Sequence, residues 1–153
     1  MLYQSNLGFL YRHRYCATTL EFESHTPMAD TCMGCNQCIT SCLGQCLNGN
    51  AFNYATCKSY LTQKKGDLTD DEQAIIRKSP LVFGCDVCQE VCPHNKDIPL
   101  TPIVEFQSIE PYVDIKELES LTNKEFKTKY GHRAFSWRGK KILIRNQEYI
   151  TKP

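Results

Sequence analysis

The sequence predicts a small α+β fold organised around metal-bound cysteines, and three observations carry that reading. Ten of the 153 residues are cysteine, and nine of those ten fall between Cys32 and Cys92. Two Thr-x-x-Glu segments, Thr69 to Glu72 and Thr122 to Glu125, mark helix starts, because the hydroxyl and the carboxylate can each satisfy an orphan backbone N–H. Tyr11 to Phe22 is rich in aromatic and β-branched residues and reads as a strand or extended segment ending near Pro27. The remaining composition excludes more than it selects. Eighteen Lys and Arg oppose seventeen Asp and Glu for a net charge of +1, so no overall field points to nucleic acid or to an acidic substrate. Apolar runs such as Gly8 to Tyr11 and Ile142 to Ile144 fall far short of the ~20 residues that span a bilayer, so no membrane is expected. Gln4, Ser5 and Asn6 stand where a secretory signal needs an apolar run. The expected location is cytoplasmic, where disulfide frameworks are rare, and metal ligation becomes the default for the thiols.

Along the chain, Cys16 stands alone, six cysteines lie from Cys32 to Cys57, and three lie from Cys85 to Cys92. The first capping box predicts a helix from about Asp70 to Lys78, stopped by Ser79-Pro80 because proline disfavours helical geometry in the residue before it. Pro93, Pro99 and Pro102 then mark an extended linker. Asp114 starts a helix with Ile115, Leu118 and Leu121 at helical spacing. Thr122 starts another that carries Phe126 and Tyr130 and ends at the expected C-cap Gly131. Ser136 to Ile150 is a third candidate, whose apolar Trp137, Ile142, Leu143 and Ile150 have little following sequence to pack against.

The chemistry lies in the cysteine spacing. Cys32-x2-Cys35-x2-Cys38-x3-Cys42 lets three thiolates wrap one [4Fe–4S] cluster while the fourth faces away, and in two-cluster ferredoxins that fourth cysteine ligates the other cluster. Cys85-x2-Cys88-x3-Cys92-Pro93 repeats the last three positions, with Val82 in place of the first cysteine. Cys57, lying between the motifs, is the candidate to complete it. The crossed arrangement gives one cluster Cys32, Cys35, Cys38 and Cys92, and the other Cys42, Cys57, Cys85 and Cys88. The fold expected is a two-cluster ferredoxin-like module followed by short helices. Structural zinc is the alternative, since Cys-x2-Cys pairs also build four-cysteine sites, although those need two pairs per ion. Leu43 replaces the proline usual after the fourth cysteine, and Cys46 close by is a possible stand-in ligand. Cys16 and Cys46 are otherwise unassigned. His94 follows Cys92-Pro93 closely enough to affect a cluster, with a solvated loop histidine as the alternative, whereas His13, His25 and His132 have no partner at a suggestive spacing.

The C-terminal end is basic. From Gly131 onward, Arg133, Arg138, Lys140, Lys141, Arg145 and Lys152 face a single Glu148, with Phe135 and Trp137 interleaved. That composition suits phosphates and unstacked bases of RNA, and equally a solvated helix face with Trp137 in the core.

Taken together, the cysteine strings, Cys57 to Gly66 (CKSYLTQKKG), Phe83 to Asn95 (FGCDVCQEVCPHN), Ala134 to Lys141 (AFSWRGKK) and Arg145-Asn146 resemble the epoxyqueuosine reductase family. That resemblance implies an oxidoreductase that reduces epoxyqueuosine to queuosine in the anticodon region of tRNA, using a cobalamin fed with electrons by two [4Fe–4S] clusters. It also implies that residues 1–29 are the remnant of a preceding domain or connection, 30–100 the ferredoxin-like domain, and 101–153 a helical extension that begins a helical-repeat region. The family's cobalamin-binding domain and most of its repeats have no counterpart in the chain, so the isolated chain is expected to be incomplete as a catalyst, with no catalytic residue of its own. By resemblance, Ser59, Cys85 and Asp86 face the cobalamin, while Lys124, Arg138, Lys140 and Lys141 face the tRNA. An external electron donor and a separate cobalamin-binding polypeptide are the further partners implied. Two other readings remain open at this point: a stand-alone ferredoxin-type electron carrier, and a tRNA-docking module of a split enzyme.

Overall fold

The computed structural model describes residues 16–26, 32–49 and 51–152. It is helix-dominated with one small sheet, the α+β class expected. In chain order the elements are α1 (Gln37–Thr40), β1 (Leu47–Asn48), β2 (Ala51–Phe52), α2 (Lys58–Leu61), α3 (Asp70–Arg77), α4 (Val87–Glu90), α5 (Val104–Gln107), α6 (Ile115–Ser120), α7 (Asn123–Tyr130) and α8 (Lys140–Thr151). Single 3₁₀ turns occupy Tyr54–Thr56, Pro93–Asn95 and Ala134–Arg138. The strands pair antiparallel, with Leu47 opposite Phe52 and Asn48 opposite Ala51. Gly49 sits at the turn with φ +53°, the left-handed geometry that tight hairpins require. No described helix is long and apolar enough to cross a membrane.

Both capping boxes form. Thr69 accepts from the Glu72 N–H while Glu72 accepts from the Thr69 N–H, and Thr122 and Glu125 make the same exchange. Asp114 caps α6 by accepting from the N–H groups of Lys116 and Glu117. Gly131 ends α7 in ordinary right-handed geometry; its need for glycine is spatial, because a Cβ there would lie 2.4 Å from the Lys127 carbonyl oxygen.

Two expectations are corrected. Of the strand or extended segment read over Tyr11 to Phe22, the part up to Tyr15 lies outside the described residues, and from Cys16 to Phe22 no strand forms. Leu20 and Phe22 are 70% and 75% exposed, with no sheet edge beside them to take up their backbone groups. The helix read over Ser136 to Ile150 is broken at Gly139, whose φ of +81° separates the 3₁₀ turn from α8.

Two hydrophobic cores hold the elements, and α8 belongs to both. Leu143 joins Leu118, Phe126 and Phe135, while Tyr149 joins Leu61, Leu68 and Ile76. The apolar face of α8 therefore packs backward onto α6 and α3. A polar clamp fixes the same helix to the α2–α3 and α3–α4 connections. The fully buried Asn146 donates from Nδ2 to the carbonyls of Thr62 and Val82, both at 2.8 Å. Arg145 donates to the carbonyls of Lys64 (2.6 Å) and Gly66 and braces the Asn146 Oδ1. Residues on both sides of position 100 thus share both cores. By contrast, the linker holds little: Leu100, Val104, Phe106 and Tyr112 are all at least 60% exposed.

Candidate metal centre

Nine cysteines, Cys32, Cys35, Cys38, Cys42, Cys46, Cys57, Cys85, Cys88 and Cys92, line one cavity of about 750 Å³. Cys16 is exposed and is absent from its wall. The two motifs reach the cavity by the same local fold. Cys38 is the second residue of α1 and Cys42 follows two residues after its end; Cys88 is the second residue of α4 and Cys92 follows at the same distance. α1 and α4 pack against each other, which faces the two motifs across the cavity. Left-handed residues tighten the approach to each helix: Gly34 (φ +66°) and Asn36 (φ +58°) before α1, and Gly84 (φ +76°) before α4. Asn36 is the non-glycine of the three, and asparagine tolerates this region better than most residues.

Cys57 enters as the N-cap of α2. Its position next to the first motif depends on Gly44, where a Cβ would stand 1.7 Å from the Thr56 carbonyl oxygen. Only a residue without a side chain lets the Cys42–Gly44 turn lie against the Thr56–Cys57 backbone. Gly84, just before Cys85, donates its N–H to Thr62 Oγ1 at 3.0 Å, which ties the second motif to the end of α2. Lys78 reaches from the end of α3 to the Leu43 carbonyl at 2.7 Å and holds the first motif from the other side.

The thiols are electrostatically linked. Burial raises the Cys85 and Cys88 thiols above the ordinary value; Cys57 adds to the first, and Cys85, Cys42 and Cys57 add to the second. Burial also opposes ionisation of Cys42, yet hydrogen bonds to its sulfur from the Cys46 thiol and from neighbouring N–H groups leave it below the ordinary value. Cys57 thus lies within electrostatic reach of Cys85 and Cys88, and Cys42 within reach of Cys88. Cys46 is the residue whose place spacing left open. It is 4% exposed, its sulfur lies 3.2 Å from the Cys42 sulfur, and its N–H donates to that sulfur at 3.3 Å. Burial, followed by the contacts with Cys42 and Cys57, pushes its thiol strongly up.

One cation stands in this wall. Lys58, directly after Cys57, is 2% exposed, and its ammonium donates to the Ile76 carbonyl (2.6 Å), the Ser79 carbonyl (2.7 Å) and Ser79 Oγ (2.7 Å). Burial lowers its pKa to about 8, against the pull of Cys85. His94 also lines the cavity and is half-buried, so it is no freely solvated loop histidine.

Among the described residues, no three His, Cys, Asp or Glu side chains converge on a point where one ion would sit. The thiols surround a volume instead. An all-sulfur donor set of this breadth suits multi-iron clusters held by cysteine thiolates better than a mononuclear four-cysteine ion.

The residues expected at the other surfaces are placed as follows. Ser59 and Cys85 are half-buried and Asp86 is exposed. Lys124 and Lys141 are exposed, and the Arg138 guanidinium stacks on Trp137 at 3.8 Å, with Trp137 itself 59% exposed and outside the core. Lys140 points elsewhere: its ammonium caps α6 by donating to the carbonyls of Leu118 (2.9 Å), Glu119 (3.1 Å) and Leu121.

Residues 31–95 match the family described as the 4Fe-4S double cluster binding domain. The epoxyqueuosine reductase of Bacillus subtilis (strain 168) is 40% identical over 132 residues, covering 84% of this chain and 34% of that protein. The epoxyqueuosine reductase of Listeria monocytogenes is 37% identical over the same shares. A crystal structure of epoxyqueuosine reductase with an epoxyqueuosine-modified tRNA-Tyr stem loop superposes with a TM-score of 0.75 at 37% identity, covering 84% of this chain and 35% of that one. The structure of the Streptococcus thermophilus enzyme does so with a TM-score of 0.71 at 35% identity, over 86% and 35% of the two chains. The chain spans about a third of the length of these relatives.

Proposed function

We propose, from its 40% identity to the Bacillus subtilis epoxyqueuosine reductase over 84% of this chain, that the chain is the electron-transferring iron–sulfur part of such an oxidoreductase. One [4Fe–4S] cluster would be held by Cys32, Cys35, Cys38 and Cys92, and the second by Cys42, Cys57, Cys85 and Cys88. The observation that carries this is the single cavity in which both motifs, Cys57 and a shared wall bring eight suitably spaced thiols together. Such clusters carry one electron at a time between an external donor and a redox partner. Cobalamin, supplied by a preceding domain or by a separate polypeptide, would be that partner, at the face carrying Ser59, Cys85 and Asp86.

The protein's own contribution is positional. Gly44 lets Cys57 lie against the Cys42–Gly44 turn, the Thr62–Gly84 hydrogen bond ties Cys85 to the end of α2, and the packing of α1 on α4 faces the two motifs across the cavity. In anaerobic reconstitution, about eight irons per chain and a broad charge-transfer band bleached by dithionite are expected. A colourless protein with about two zinc ions would refute the reading.

For the tRNA, we propose Lys124, Arg138 and Lys141 as the contacts, with Lys140 as the residue that draws their supports together. Lys140 anchors the start of α8 on the α6–α7 junction; Lys124 lies in the first turn of α7, Lys141 in the first turn of α8, and Arg138 at the end of the 3₁₀ turn before it. The exposed Trp137 with its stacked guanidinium offers a face on which an unstacked base can lie. Substituting alanine at Arg138 and Lys141 is expected to weaken tRNA stem-loop binding and to lower its salt dependence by about one unit of slope per cation. An unchanged salt slope would remove these residues from the interface.

A further inference from the structure

We infer that Lys58 raises the reduction potential of the cluster held by Cys42, Cys57, Cys85 and Cys88, by fixing a buried positive charge in the wall beside that quartet. The inference rests on the two-cluster reading above and concerns a residue that is not one of the proposed cluster ligands.

Lys58 follows Cys57 directly, and its side chain is part of the cavity wall. At 2% exposure, it is the only charged residue among the buried described residues. Its ammonium has given all three N–H donors to Ile76 O, Ser79 O and Ser79 Oγ, so it cannot swing out to water. Those acceptors are dipoles, and among the described residues no carboxylate forms an ion pair with the charge. Asp86, next to Cys85, acts on that thiol in the opposite sense but is exposed to water, as is the cation of Lys78 beside the first motif; Lys58 is the buried charge of the three. Lys58 is close enough to pull on the Cys85 thiol electrostatically.

An electron arriving at this quartet adds one negative charge without making or breaking a bond. A buried cation lowers the energy of the reduced state more than that of the oxidised state, because charges interact strongly where water is excluded. Charge near a cluster is one of the terms that set its potential. The competing account is that Lys58 only caps the end of α3, and the two accounts diverge on substitution.

The test uses the full chain, anaerobically reconstituted, as wild type, Lys58→Gln, Lys58→Met and Lys58→Arg. Iron is counted, and each protein is titrated with dithionite at neutral pH while the two clusters are followed by electron paramagnetic resonance. Glutamine keeps a donor and loses the charge, methionine loses both, and arginine keeps the charge. Expected for the Gln and Met variants are a full iron count and, at the potential that half-reduces this cluster in the wild type, a ratio of reduced to oxidised cluster about tenfold lower. That fold-change corresponds to ~59 mV for a one-electron couple. The other cluster and the Arg variant should stay within about twofold of the wild type. Unchanged potentials in Gln and Met variants that retain both clusters would overturn the inference. So would equal shifts of both clusters, or loss of iron in Gln and Met that Arg restores, since these mark a structural cap. A wild type without iron would instead refute the two-cluster reading itself.

Discussion

Gly44 and Lys140 show what single positions do here and how differently they announce it. Gly44 leaves no space for a side chain, since its Cβ would stand 1.7 Å from a backbone oxygen that has no freedom to retreat. Gly44→Ala should therefore push Thr56 and Cys57 away from Cys42. The expected loss is at least the ~1–3 kcal/mol of ordinary overpacking, with iron falling from about eight toward about four per chain as the Cys57 quartet opens. Denaturant titration and iron analysis check the two halves of that expectation separately. The glycine could be seen in the sequence, but its neighbour could not: Thr56 lies twelve residues on, and nothing in the spacing says the two backbones touch. Lys140 is the opposite case. Its place in a basic run pointed to phosphate, whereas its ammonium serves three carbonyls 19 to 22 residues upstream. Only the chain path shows such an acceptor set. Lys140→Met is accordingly expected to lower stability while leaving tRNA stem-loop affinity and its salt slope nearly intact, the reverse of Lys141→Ala.

At the scale of elements, helix starts were the most legible feature, because a capping box is a local exchange of hydrogen bonds written in four residues. The same locality makes α3 testable. Thr69→Ala should cost about 1 kcal/mol. Glu72 supplies the other half of that box and also accepts from Lys64 at 2.6 Å; the Lys64 hydrogen bond first, with the Thr69 N–H and hydroxyl adding, holds its carboxyl below the ordinary value. The folded state thus favours the ionised form. Its stabilising contribution is fully present above about 4.3, the ordinary glutamate value, and is lost as pH falls through the lower folded value. The stability gap between wild type and Glu72→Gln should therefore be widest near neutral pH and close on acidification; a gap independent of pH would show that the carboxylate charge is immaterial. The β1–β2 hairpin went unread although Asn48-Gly49 is a strong turn signal, because strands of two residues show no alternation to flag them. Over Cys16 to Phe22 the strand alternative fails in the other direction: β-propensity describes side chains that suit a pleated surface, and the described residues offer no sheet edge there.

For the whole molecule, the question is what keeps the fold when the metal is withdrawn. Of the described buried residues, only Cys46 belongs to either cysteine motif segment, 32–46 or 85–92. The rest of the buried set lies in α2 and the segment after it, α3, α6, α7, α8 and the turn before α8. The cysteine loops thus have almost no apolar core of their own, and thiolates that meet only in the folded state convert metal-binding energy into folding energy. The helical half has two cores and the Asn146 clamp, none of which contains a cysteine. Removing iron with a chelator under reducing conditions should raise amide exchange across 32–57 and 84–95 while 115–149 stays protected, a sub-global opening of the kind that follows local contact density. Asn146→Ala should shift that boundary. It strands the Thr62 and Val82 carbonyls, at about 1–3 kcal/mol for each buried group left unpaired, and it frees the two segments that carry Cys57 and Cys85 from their common anchor. In that variant, exchange should rise at 57–62 and 82–85 even with iron present. Uniform protection loss along the whole chain on chelation would show instead that the clusters and the helical cores form one cooperative unit.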